Sequence, residues 1–248
     1  MDLTFLFMAS GMVFVAAVAQ SMTGFGFALL VVPLLSLIWN PQSVVVVSTI
    51  LNGLLSISIT FHLRREIAPS RIGLLLTGAL AGIPLGLAVL ATLDPAPLRI
   101  LIGAMVILLG LLIYFGIVYP LKSQRWPLLA TGMLSGVLQA STSMGGPPAV
   151  LYLMSQGYGK LAVRGTLLGF FGPLSLLALL GFAMAGLVHP DVMLVSVALV
   201  PATIFGILVG DAAFRRTTSG LFRVMVVLLI VAAGILSVAT GFRGLSVQ

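Results

Sequence analysis

Residues 20–27 read QSMTGFGF and residues 139–148 read QASTSMGGPP. Each stretch of small and polar residues interrupts a long apolar run, 3–38 in the first case and 127–156 in the second. A helix that spans a bilayer needs about 20 apolar residues. The two runs, at about 30 to 35 residues each, are too long for one straight span and short for two full ones. How the chain handles these two breaks decides its architecture.

Outward from the breaks, apolar segments recur near 43–62, 72–92, 99–118, 165–187, 192–212 and 221–240. Sixty per cent of the residues are hydrophobic and 7% are charged, and the mean hydropathy is +1.26. A soluble domain carries about 25% charged residues. Lipid must therefore solvate most of this surface, and an all-α membrane protein is expected because a helix satisfies its own backbone polar groups. The net charge of +7 is not a nucleic-acid footprint. The basic residues fall in short gaps between apolar runs rather than in a patch, so no nucleic-acid partner is expected. With no cysteine there is neither a disulfide framework nor a thiolate metal site. No metal and no cofactor is expected. The first segment ends in an A-x-A-like pattern at Ala17 and Ala19, but the only charge before it is Asp2, so it reads as a retained span rather than a signal peptide.

The breaks belong to a longer repetition. Gln20 and Gln139 are 119 positions apart, and Gly26 and Gly145 keep that offset. Thr49 and Thr166 occupy similar places in their spans. Gly82 with Gly206, Gly86 with Gly210, Arg99 with Arg223, and Gly110 with Gly234 share an offset of 124. Order and near-constant spacing favour a duplication, with halves 1–119 and 120–248, over coincidence in a glycine-rich chain. Internal repeats of this kind are typical of secondary transporters.

Loop charge sets the topology. If each broken run crossed once, Arg64, Arg65, Arg71, Lys122, Arg125 and Arg243 would face Arg99, Lys160, Arg164, Arg215, Arg216 and Arg223 across the membrane. That even division violates the positive-inside rule. If each run enters and returns as a hairpin, only Arg99 and Arg243 oppose the other ten. The expected fold is therefore two inverted repeats, each a broken or re-entrant helical hairpin plus three transmembrane helices. Both termini would lie outside and the basic face in the cytoplasm. The shortness of the arms favours re-entry, with the two tips meeting near the midplane.

Irregular backbone at membrane depth is tolerated only where protein or a water-filled cavity satisfies it, so the breaks are the candidate site. Helix N-termini offer amide groups and about half a positive charge, which suits an anion. Ser21, Thr23, Ser141, Thr142 and Ser143 would add hydroxyl donors, and Gln20 and Gln139 would add amides. Gly24 and Gly26 would let the backbone approach a ligand, while Pro147 and Pro148 suit a first helical turn. The competing reading is that these small residues only permit close helix packing.

Other polar residues divide between roles. Asn52 faces either a cavity or a neighbouring helix, and Thr49 and Thr166 either face the site or bond their own backbone. Arg99 and Arg223, at span ends, read as snorkelling. Arg164, ahead of the span at 165, reads first as loop charge and second as a guide for anions from the cytoplasm. Asp211 approaches a membrane segment but sits near Arg215 and Arg216, so no intramembrane carboxylate stands out. His62 and His189 read as solvated loop-edge residues, and Trp39, Trp126, Tyr114 and Tyr119 as interfacial anchors. H-E-x-x-H, P-loop lysine and G-x-S-x-G patterns are all missing from the sequence, and no enzyme is expected.

The duplicated pattern SMTGFGFALLVVPLL with NPQSVVVVSTILN, then STSMGGPPAVLYLM with GKLAVRGTLLG, resembles the TauE/SafE sulfite-exporter family, also called the toluene-sulfonate uptake permease family. The likeness covers nearly the whole chain, although the first break is less glycine-rich than is usual there. It implies transport of sulfite, organosulfonates or related oxyanions. It also implies that Gly24 to Phe27, including Phe25, and Ser143 to Pro148, including Met144, Gly145 and Gly146, line the pathway.

The resulting expectation is a secondary transporter of a small anionic substrate, working by alternating access in the bilayer of a bacterial inner (plasma) membrane. An anion channel with the breaks as its selectivity filter is the alternative. The sequence leaves open an H⁺ or Na⁺ coupling ion and assembly as a homo-oligomer.

Overall fold

The computed structural model describes residues 3–23, 25–63, 69–115, 125–156, 160–214 and 219–246, and every regular element among them is an α-helix. Helices α1 (Leu3–Thr23) and α2 (Phe27–Leu35) flank the first break, followed by α3 (Pro41–Leu63), α4 (Pro69–Thr92) and α5 (Pro95–Phe115). Helices α6 (Arg125–Thr142) and α7 (Gly146–Ser155) flank the second, followed by α8 (Lys160–Met184), α9 (Pro190–Phe214) and α10 (Ser219–Ser246). The side chains of His62, Tyr114 and Arg223, and all of Tyr119, lie outside the described residues.

Local chemistry sets the ends. Proline opens α3, α4, α5 and α9, at the one turn where its missing N–H costs nothing. Asn40 caps α3, its Oδ1 accepting from the amides of Gln42 (2.9 Å) and Ser43 (3.4 Å). Helix α8 closes on Gly186, which takes φ 71 while the amide of Leu187 donates to Phe182 O and that of Gly186 to Ala183 O.

Among the described residues, six helices are long and apolar enough to cross a membrane: Leu3–Met22, Pro41–Ser58, Ser70–Thr92, Pro95–Leu112, Val163–Met184 and Pro190–Ala213. A shorter apolar stretch, Val231–Gly244, lies in α10. Large apolar side chains such as Phe7, Leu180, Leu194, Val197, Phe205 and Leu208 point outward, an exterior that a bilayer solvates and water would not. The chain is a multi-pass membrane protein.

The hairpin arms are unequal, which refines the expectation of two short arms. Helix α1 has 21 residues and α6 has 18, whereas α2 has 9 and α7 has 10. At 1.5 Å per residue the long arms reach about 30 Å and the short ones about 15 Å. Helix α1 alone can span the membrane. It outlasts the apolar run because Gln20 and Ser21 stay helical, each side chain bonding a neighbouring segment.

Packing is tight where small residues meet. Helix α4 lies along α6, and α1 along α9. Cβ atoms added to Gly82 and Gly86 would collide with Met133, Val137 and Ala140 of α6. Added to Gly206 and Gly210, they would collide with Phe14, Ala17, Val18 and Ser21 of α1. Rising numbers on one helix meet rising numbers on the other, so both pairs run parallel. Helix α3 packs on α8 and α5 on α10 in the opposite sense. Gly53 meets Ser175 while Gly172 meets Ile57, and Gly103 meets Val238 while Gly241 meets Ala96 and Ile100. For these glycines, close packing is the role the contacts assign.

Candidate functional site

Gln20 is fully buried near the end of α1 and does two jobs. Its Oε1 accepts from the amide of Phe27 (3.1 Å), the first residue of α2. Its Nε2 donates to Asn52 Oδ1 on α3 (2.7 Å), which also accepts weakly from Ser56 Oγ (3.4 Å). The glutamine thus bridges the gap between α1 and α2 and ties both to α3. Ser21 Oγ donates to Ile207 O on α9 (3.1 Å). Between the arms, Phe25 and Gly26 are half-buried. Gly26 takes φ 104, with nothing among the described residues within 4 Å of where a Cβ would sit. A residue with a side chain would be strained there even though the space is open. The side chain of Thr23 and all of Gly24 lie outside the described residues.

The second break repeats the brace. Gln139 Oε1 accepts from the Gly145 amide (3.3 Å), and its Nε2 donates to Thr49 Oγ1 on α3 (3.4 Å). Thr49 Oγ1 reaches Ser143 Oγ (3.0 Å) and its own Val45 O (2.9 Å), and Ser143 Oγ donates to Ser48 Oγ (3.2 Å). Ser143 sits at φ 62, a left-handed conformation unusual for a residue with a Cβ. Ser141 and Thr142 donate to Val137 O (2.8 Å) and Leu138 O (2.9 Å) of their own helix. Ser141 through Gly145 are all buried. Cβ atoms added to Gly145 and Gly146 would press on Ser135 O and Phe171.

The two breaks therefore converge on α3. Asn52 and Thr49, which receive the two glutamine amides, lie three residues apart and about 4.5 Å in rise, near the middle of that helix. Thr166 is buried on α8. Of the expected donors, Gln20, Ser21, Gln139, Ser141, Thr142 and Ser143 all donate to the protein. For Asn52 the interhelical bond, not the cavity, is what the structure assigns. At α7 the prolines at 147 and 148 remove two first-turn amides, leaving fewer donors than a helix N-terminus ordinarily offers. Helix α2 retains amides at Ala28 and Leu29.

Two arginines at helix ends have partners within the protein, Arg99 first. Its Nε donates to Ser36 O (2.8 Å) and its Nη2 to Trp39 O (3.5 Å), gripping the carbonyls just past α2. A cation suits that end of a helix. Trp39 packs edge-on against Phe5. Arg164 is not loop charge. Helix α8 begins at Lys160, so Arg164 lies in its second turn, buried, with Nη2 3.2 Å from Asp211 Oδ1 on α9. Asp211 is thus the partner of Arg164, whatever loop charge lies beyond α9. Spacing offered a clue: Arg164 precedes Leu168 by four and Phe171 by seven, on one buried helix face. A hollow of about 500 Å³ lined by Leu3, Thr4, Phe5, Met8 and Ile38 lies at the far end of α1 and includes neither arginine.

A multi-pass membrane protein with two internally braced helix breaks against the middle of one helix has the build of a solute carrier. The family model for Sulfite exporter TauE/SafE matches residues 9–237 of the 248, and the chain belongs to that family of membrane transporters. No curated protein and no solved structure gives a match.

Proposed function

We propose that the chain is a secondary transporter that carries a small oxyanion, sulfite or an organosulfonate, across the bacterial inner membrane by alternating access. In this reading residues 1–119 and 120–248 form inverted repeats, both termini face the periplasm, and the solute passes between the breaks. The observation that carries it is the pair of glutamine-braced breaks, which set irregular backbone, amides and hydroxyls against the middle of α3. The first-turn amides of α2 at Ala28 and Leu29, rather than the hydroxyls already donating within the protein, suit an oxyanion.

Contact register supports the repeat. Moving Gly82 forward by 124 reaches Gly206, and moving Met133 and Val137 back by 119 reaches Phe14 and Val18, which are the residues Gly206 meets. The same shifts carry Gly86 with Val137 and Ala140 onto Gly210 with Val18 and Ser21. Antiparallel packing of α3 on α8 and of α5 on α10 favours inversion over a same-sense repeat, in which equivalent helices would run parallel. The first break is half-buried and the second sealed, in keeping with a carrier that opens one path at a time.

The test is sulfite counterflow in proteoliposomes. Saturable, sulfite-dependent exchange is expected; large unitary currents would identify a channel, and no sulfite movement would sink the substrate class. Topology is checked separately. Because the chain has no cysteine, Trp39→Cys and Gln156→Cys can each be labelled without background. Labelling of position 39 from outside and of 156 from inside is expected.

A further inference from the structure

Among the described residues, Arg164 is the only lysine or arginine in the buried interior. Its side chain is 6% exposed, whereas that of Asp211, its ion-pair partner, is 45% exposed. The pair joins α8 to α9 beside the first break: Gly210, next to Asp211, packs on Ser21 in the last turn of α1. Arg164 itself lies two residues before Thr166 on α8. That break is the one with open space, beside Gly26. The other half has no such pair, since the positions matched to Arg164 and Asp211 by the offsets of 117 and 124 are Val47 and Leu87.

We propose that Arg164 is the cationic contact for the transported anion and that Asp211 is the resting counter-ion the anion displaces. A guanidinium removed from water cannot be left without negative charge, so whatever takes the carboxylate's place must itself be an anion. The planar fork of arginine fits two oxygens of a carboxylate and, equally, two oxygens of a sulfite or sulfonate. The uneven burial gives direction to the exchange: Asp211 can swing toward solvent while Arg164 stays inside. Passage past the first break is then coupled to the opening of the α8–α9 tie. This inference rests on the oxyanion-transport reading and adds the residue that carries the charge.

The test is calorimetric titration of sulfite into the purified full-length protein. Asp211→Asn removes the competing carboxylate and should tighten sulfite binding about fivefold, while Arg164→Gln should weaken it about tenfold or more. The double variant should match Arg164→Gln. Unchanged or weaker binding in a folded Asp211→Asn protein overturns the proposal, because a merely structural tie gains nothing from losing its acid. Should that variant not fold, Arg164→Lys decides. It keeps the charge but loses the fork, so sulfite affinity should fall severalfold, and an unchanged affinity overturns the proposal. Wild-type protein that binds sulfite while these variants fail the pattern refutes this inference alone. Wild-type protein that binds no sulfite refutes the transport reading and this inference with it.

Discussion

At the first break Gln20 reaches forward to the Phe27 amide and sideways to Asn52; at the second, Gln139 reaches forward to the Gly145 amide and sideways to Thr49. Around these matching braces the surroundings diverge. The first break keeps glycine at φ 104 with open space beside it, and the short helix that follows retains its first-turn amides. The second is buried from Ser141 to Gly145, runs a hydroxyl chain through Thr49, Ser143 and Ser48, and follows with two prolines. Broken backbone at membrane depth must have its polar groups satisfied. At each place one glutamine takes an amide from across the break, while the rest of the first break is half-buried and the rest of the second is buried.

The braces themselves give the sharpest test of this contrast. Gln20→Ala leaves the Phe27 amide without its acceptor and deprives Asn52 of its short bond. An unsatisfied buried group costs roughly 1–3 kcal/mol, so the loss should be about 3 kcal/mol in thermal unfolding of the detergent-solubilised protein. The bonds of Gln139 are longer, at 3.3 and 3.4 Å against 3.1 and 2.7 Å. Gln139→Ala should therefore cost less, about 1–2 kcal/mol. A larger loss at Gln139 would reverse the order and show that the closed break, not the open one, depends more on its brace.

The positions of the breaks were legible because they rest on run length and polarity, which a sequence states directly. The use of the glutamines was not. Whether an amide meets solute or protein depends on which face α3 turns toward the break, and Asn52 and Thr49 become partners only once that rotation is set. Arg164 was misread for a different reason. The apolar run suggests a span from 165, but the chain is already helical from Lys160, and that extra turn carries the guanidinium inside. Gly82 and Gly206 were legible as a matched pair, while their contacts with α6 and α1 required the fold.

The paired glycines sharpen the contrast at smaller magnitude. A Cβ on Gly145 would lie 2.7 Å from Ser135 O and 2.9 Å from Gln139 Cβ. Gly145→Ala should accordingly lower stability by about 1–3 kcal/mol through overpacking. The protein that still folds should lose less sulfite transport than the Gly26→Ala protein. Gly26→Ala meets no atom of the described residues, but the left-handed backbone costs it about 1–2 kcal/mol. Its methyl enters the open space beside the break, so sulfite exchange should slow about tenfold, equivalent to about 1.4 kcal/mol in the barrier. Equal transport by the two variants in proteoliposomes would remove the distinction between an access side and a packed side.

The smallest effect concerns Ser143, which matches Gly24 of the first break by the offset of 119. Ser143→Ala loses the hydroxyl bonds to Thr49 and Ser48 yet keeps a side chain at φ 62, so a loss of about 1–2 kcal/mol is expected. Ser143→Gly loses the same bonds but is relieved of a left-handed penalty of about 1 kcal/mol. At an ordinary helical site glycine is less stable than alanine by about 1 kcal/mol. Here the order should invert, with the glycine variant unfolding at the higher temperature. An alanine variant that is the more stable of the two would mean that the serine is not held in its left-handed turn, and that the hydroxyl chain alone shapes the closed break.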